Sequence, residues 1–170
     1  MSLLQWLQDS GFSQYIESST WANLVLLCFH AVGMSVVVGI LWVLDLRVLG
    51  FPRSLPLSAF RPLVRLAWLG FILNAASGLL LFAGAATRFI VNTDFQLKML
   101  LILLGGLSVL ALRSSISEAW RAEATADAGQ GAGVQFSAAA KITAAVSLAF
   151  WCGVILFGRQ IAYTLARPAA

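Results

Sequence analysis

The hydrophobic residues of this chain fall into four long blocks rather than into the narrow stripes of a soluble amphipathic helix. Positions 21–44 are almost wholly apolar, and similar runs cover 66–86, 95–112 and 142–165. Each run has about the length a helix needs to cross a hydrocarbon core ~30 Å thick. Ahead of them, 2–18 sets Leu3, Leu4, Trp6, Leu7, Phe12, Tyr15 and Ile16 among polar residues. That segment is too polar to span and predicts a short helix lying at the interface, broken by Gly11. Ser19 or Thr20 is placed to cap the first span, and Pro52 and Pro56 make 50–58 a link that no helix can run through. The Ala- and Gly-rich stretch 122–137 predicts a helix extension followed by a mobile loop. Gly70, Ser77, Gly78 and Gly84 give the second span small residues that let a neighbouring helix come close.

Composition fixes the class. With 60% hydrophobic residues, 11% charged residues and a mean hydropathy of +0.88, the chain reads as an all-α integral membrane four-helix bundle. Residues 1–170 make one membrane domain, with no room for a separate soluble one. The formal charge of +4 comes from basic residues beside the spans, where lipid headgroups explain them and nucleic acid does not. Cys28 and Cys152 lie inside apolar runs, so neither a disulfide nor a cysteine metal site is expected. Residues 1–20 lack Lys and Arg and carry Asp9 and Glu17, which argues against a cleaved signal peptide. Arg47, Arg53, Arg61, Arg65, Arg113, Arg121 and Lys141 flank one side of the spans, and Arg88, Lys98, Arg159 and Arg167 the other. The positive-inside rule then puts both termini outside, in the periplasm if the membrane is a bacterial inner membrane.

Candidate chemistry centres on His30, the only histidine, about 13 Å into the first span at the helical rise. A ligating or ionisable group at that depth marks a functional site by default. Arg88 at the end of the second span, Lys98 in the first turn of the third and Arg159 near the end of the fourth fall in the same outer half. A neutral imidazole can ligate haem iron, and basic groups near the interface can hold propionates, so the set points to a b-type haem pocket facing outward. Met34 lies one turn below His30 and lines the pocket, since two residues of one helix cannot take opposite axial positions. A single histidine excludes bis-histidine ligation within one chain, leaving Lys98, Met99, water or another subunit as the sixth ligand. The structural alternative has His30 hydrogen-bonding a neighbouring helix through Asn74 or Ser77, with Lys98 and Arg159 reaching to headgroups and Arg88 an interfacial anchor. Asp45 and Arg47 read as a helix-terminal ion pair or a contact with the arginine-rich link, a structural role favoured over the alternative of proton uptake. No phosphate loop, nucleophile triad or paired catalytic carboxylates occur.

Several motifs carry a family resemblance over nearly the whole chain. These are the run 21–50 closing on Asp45-Leu46-Arg47-Val48-Leu49-Gly50, then Ser77-Gly78-Leu79-Leu80-Leu81-Phe82, Arg88-Phe89 with Asn92, Phe95-Gln96-Leu97-Lys98-Met99, and Trp151 with Gly158-Arg159-Gln160-Ile161-Ala162. Together they resemble a family of bacterial four-helix inner-membrane proteins without an assigned function. More distantly, the layout is similar to HemJ-type protoporphyrinogen oxidases and to CopD-like membrane domains. The HemJ-type likeness implies a b-type haem supported by a histidine on an early helix and a lysine opening a later one, which His30 and Lys98 with Leu101 match. Leu112-Arg113 stands where relatives often carry a histidine, and the first helix lacks their usual signature around its histidine. Haem binding carries over more readily than the oxidase reaction.

The expectation is a haem b protein moving electrons between a quinone or porphyrin-type reductant in the bilayer and a partner, with or without oxidoreductase catalysis. Copper handling is the alternative from the CopD-like likeness, although three Met and one His make a poor soft-metal path. A non-catalytic accessory subunit of a larger membrane complex is the third reading, and a homo-oligomer sharing the site is compatible with one histidine per chain. From the charge pattern, a membrane-impermeant thiol reagent added to intact cells is expected to label a Ser2→Cys variant and to spare Ser114→Cys. The reverse labelling would invert the orientation.

Overall fold

The structure is a computed structural model that describes residues 3–51, 56–125 and 135–166. Its regular elements among these residues are all helical. Two short helices, α1 (Leu3–Gln8) and α2 (Gly11–Ser18), lead into α3 (Thr20–Leu49). A 3-10 turn at Leu57–Phe60 runs into α4 (Arg61–Gly84), followed by α5 (Ala86–Ile90), α6 (Thr93–Thr125) and α7 (Ala138–Ala166). Helices α3, α4 (with the 3-10 turn), α6 and α7 are long and apolar enough to cross a membrane. Only 17–28 % of the most apolar stretch of each is buried inside the molecule. An apolar exterior of that extent is stable against lipid and not against water, so this is a multi-pass membrane protein whose helices contact the bilayer.

Local chemistry explains the helix ends and corrects some sequence expectations. The interfacial segment forms two helices, and Gly11 opens the second rather than breaking the first. The break falls at Asp9 and Ser10, because the Ser10 hydroxyl accepts from Ser13 N at 3.3 Å and caps α2. Ser19 caps α3 in the same way through Ala22 N. Helix α3 stops at Gly50, before either proline. Gly50 takes a left-handed conformation (φ 102°), its N–H bonds Arg47 O, and Phe51 N reaches back to Leu46 O at 2.9 Å. Pro52 lies outside the described residues, as does most of the loop expected within 122–137. Helix α6 runs well past 112 because its polar end holds the 3-10 turn. The Glu123 carboxylate accepts from Leu57 N (2.7 Å) and Ser58 N (2.8 Å), and Trp120 Nε1 donates to Leu57 O.

The four long helices form two antiparallel hairpins. Helix α3 packs closely on α4 and α6 on α7; the hairpins join chiefly along α3 and α7, while α4 and α6 approach each other sparsely. Glycine permits the intimate contacts. A Cβ on Gly33 would fall 2.7 Å from Asn74 N and 2.8 Å from Gly70 O, and one on Gly105 would meet the Trp151 indole at 3.0 Å. The end of the bundle carrying α1, α2 and α5 is called the α5 end, and the other the turn end. At the α5 end, Gln8 accepts from Thr87 N and Oγ1, Ile16 packs beside Gly84, and Arg88 pairs with Glu17. Most of the core lies at the turn end, where Ile40, Leu44, Val48, Leu57, Phe60, Leu112 and Ala144 cluster.

The Gly33 contact is backbone against backbone, so an added methyl must push α3 and α4 apart. Gly33→Ala is expected to cost about 1–3 kcal/mol, seen as a lower Tm in detergent. Gly39→Ala, with nothing near its added Cβ, is the control expected to melt as the parent does.

Candidate functional site

The close approach at Gly33 and Gly70 carries one turn further along each helix to His30 on α3 and Asn74 on α4, with Ser77 a turn beyond Asn74. His30 Nδ1 lies 3.0 Å from the Asn74 carbonyl oxygen, and the Asn74 side-chain amide donates to His30 O at 2.8 Å. The two residues thus exchange bonds across the interface. Ser77 Oγ donates to Leu73 O at 2.6 Å and turns its lone pairs toward Nδ1 at 3.4 Å. Gly78 makes room for the ring, since a Cβ there would come within 2.9 Å of His30 Cε1.

These contacts set the tautomer. The Asn74 carbonyl beside Nδ1 only accepts and the Lys98 amine beside Nε2 donates, which together favour a proton on Nδ1 and a lone pair on Nε2, although the Asn74 amide nitrogen also stands 3.3 Å from Nδ1. Lys98 Nζ of α6 stands 3.2 Å from Nε2 and donates to it. Helix α6 is started by Asn92, whose Oδ1 accepts from Phe95 N at 2.9 Å and whose amide donates to Thr164 Oγ1 of α7. The Lys98 stem then runs over Gly158 of α7, its Cε 3.5 Å from where a Cβ would sit. Both His30 and Lys98 are half-buried. Their hydrogen bond links the two hairpins where α4 and α6 stand apart, and Phe82 stacked on Phe95 (centroids 5.6 Å), with Phe89 beside them, covers the same gap nearer the α5 end.

The other candidates from the sequence occupy different surroundings. Arg88 is engaged with Glu17, whereas Arg159 donates to Tyr163 Oη at 3.2 Å and lies over that ring. Both are exposed, at the α5 end. Met34 is partly buried against Val38, Trp151 and Val154, one turn from His30 toward the turn end. Met99 neighbours Lys98 but is 48% exposed on the lipid-facing side. Gly158 and the three phenylalanines are contributors that the sequence reading did not single out as site residues, although Gly158 opens one of its quoted motifs. Among the described residues, no three His, Cys, Asp or Glu side chains converge as a metal-ligand group.

The arrangement offers one oriented imidazole lone pair facing one amine, in a half-buried position beneath aromatic rings. The chain matches no family model, no curated protein and no solved structure.

Nitrogen NMR of ¹⁵N-histidine-labelled protein is expected to show His30 protonated at Nδ1 and bare at Nε2; an Nε2–H tautomer would contradict the bonding described. Asn74→Leu removes the amide bond to His30 O and is expected to cost about 0.6–1.7 kcal/mol, seen as a lower Tm.

Proposed function

We propose that the chain binds b-type haem through His30 Nε2 and serves electron transfer in a bacterial inner membrane. The supporting observation is the anchored imidazole. A ring whose Nδ1–H is held by a backbone carbonyl presents Nε2 in the orientation and basicity that ligating histidines use. Porphyrin supplies its own equatorial nitrogens, so one protein imidazole, with or without a second donor, completes the iron's needs. A copper or zinc site built from protein alone requires several convergent ligands; among the described residues no three His, Cys, Asp or Glu side chains gather, and Met99 is exposed toward lipid. The chemistry of the donor set therefore favours haem over the copper-handling reading.

When bound, the haem supplies reversible one-electron chemistry, and the protein tunes it by ligation and burial. His30 would hold the iron, and Asn74 and Ser77 keep its ring from turning. Lys98, on a flexible stem over Gly158, is the second nitrogen donor or a cation for a propionate. Arg159, one residue from Gly158, is the further propionate contact. Arg88 holds α2 through Glu17 instead. Phe82, Phe89 and Phe95 exclude water from the α5 end, and Met34 lines the inner wall. The sparse packing between α4 and α6 gives a quinone or porphyrin-type reductant a lateral approach from lipid. The sequence resemblance to HemJ-type proteins motivates this assignment, and the basic-residue pattern argues for an α5 end that faces the periplasm.

A second reading is favoured by the reciprocal His30–Asn74 bonds, which serve equally well as a strut between helices in an accessory subunit. Absorption spectra of detergent-purified protein, oxidised and reduced, separate the two. Haem binding is expected to give a Soret band that His30→Ala abolishes and that Lys98→Met retains with altered shape. A pigment-free protein in which His30→Ala merely lowers Tm supports the strut.

A further inference from the structure

Four buried polar atoms have no hydrogen-bond partner among the described residues: Trp42 Nε1, Asp45 Oδ2, Ser147 Oγ and Trp151 Nε1. Trp42, Asp45 and Ser147 belong to the interface between α3 and α7, whereas the Nε1 edge of Trp151 turns to Gly105 of α6. Trp42 and Asp45 stand about one turn apart on α3, and Ser147 and Trp151 one turn apart on α7, which runs antiparallel to it. The Ser147 hydroxyl faces the Asp45 carboxyl but stops short of a normal hydrogen bond. That contact sets the register, so the two indoles lie at one level, about 5 Å nearer the bundle centre. Asp45 is 3% exposed and Ser147 0%.

Leaving such groups dry is unfavourable, most of all at the carboxyl. The donor and acceptor types identify what relieves the cost. A cation would meet the Trp42 indole N–H, which repels it, and an anion would meet the carboxylate. Water accepts from the Trp42 indole and donates to the carboxyl and hydroxyl, which suits the three orphaned atoms at and beside Asp45.

We propose that this interface is a hydrated proton-binding site centred on Asp45, exchanging with the turn end and distinct from the His30 site. A proton from water at the turn end forms an O–H bond at Asp45 Oδ2 and neutralises the carboxylate; it leaves by the same route, and no electrons move. The route is short, because α3 ends four residues beyond Asp45 at Leu49. Toward the centre it is closed. Val38 and Val154, each seven residues from its partner in the Asp45–Ser147 pair, are 2% and 0% exposed and form an apolar layer. Asp45 is the only acidic residue from Thr20 to Gly84. Ser147 is the side chain that bears on its carboxyl from α7. The charged groups of the packed elements near this level are Arg47 of α3, Arg61 and Arg65 of α4, Arg113 of α6 and Lys141 of α7. Arg47 is buried, but residues two apart on a helix do not face each other, and the other four are exposed.

Infrared spectroscopy of the full chain in lipid nanodiscs, titrated in H₂O and D₂O, tests the site without reference to haem. A carboxylic C=O band that shifts down in D₂O, disappears in Asp45→Asn and changes frequency in Ser147→Ala is expected, with one fewer titrating proton per chain in Asp45→Asn. A folded Asp45→Asn protein whose carboxylic bands match the parent through the titration would overturn the proposal. If Asp45→Asn loses its helical circular dichroism, Ser147→Ala decides: a shifted band upholds the site and an unmoved one overturns it.

Discussion

The backbone contact between α3 and α4 at Gly33 and Gly70 governs much of the remaining architecture. Within a bilayer, bringing two apolar helices together removes no hydrocarbon surface from water, so association must come from close packing and polar bonds. The glycines supply the first and thereby enable the second. Only because the backbones nearly touch there does the Asn74 carbonyl, on the next turn, come within reach of His30, and only because residue 78 lacks a side chain does the imidazole fit. The tautomer of His30, and hence the direction of its lone pair, follows from the spacing of two helices.

A second level of organisation comes from the division into two hairpins. Contacts within each hairpin are dense, and the hairpins meet mainly through α3 and α7. The His30–Asn74 bonds lie inside one hairpin, but two other polar features that distinguish this molecule from a generic bundle fall between the halves. His30 and Lys98 reach across from opposite hairpins, as do Asp45 and Ser147. Rigid halves with a polar joint are a common way for membrane proteins to place chemistry where it can be both positioned and altered.

The fold was highly legible because apolar runs of membrane length admit few structures, and the single histidine with a lysine at matching depth was legible for the same reason. The helix ends were less so: prolines were an obvious stop for α3, yet the left-handed Gly50 acts first. Arg88 could be placed by depth, but its pairing with Glu17 depends on how α2 folds back over the end of α4, a contact 71 residues away in sequence. Glu123 looked like one charge in a polar tail, and its hold on the 3-10 turn depends on α6 continuing as a helix well past the apolar run. Ser147 was invisible, since a serine in an apolar helix carries no signal until a carboxyl on another helix is seen to face it.

The layer formed by Val38 and Val154 has an electrical consequence. Field across a membrane concentrates where the protein is dry, because hydrated regions polarise and share the potential of the water they contact. With polar groups on both sides of one thin apolar band, much of any membrane voltage would fall across a few ångströms of valine. A proton moving between the turn-end water and Asp45 would then cross little of the field, whereas charge passing from one half of the bundle to the other would cross most of it, at about 2.3 kcal/mol per unit charge per 100 mV.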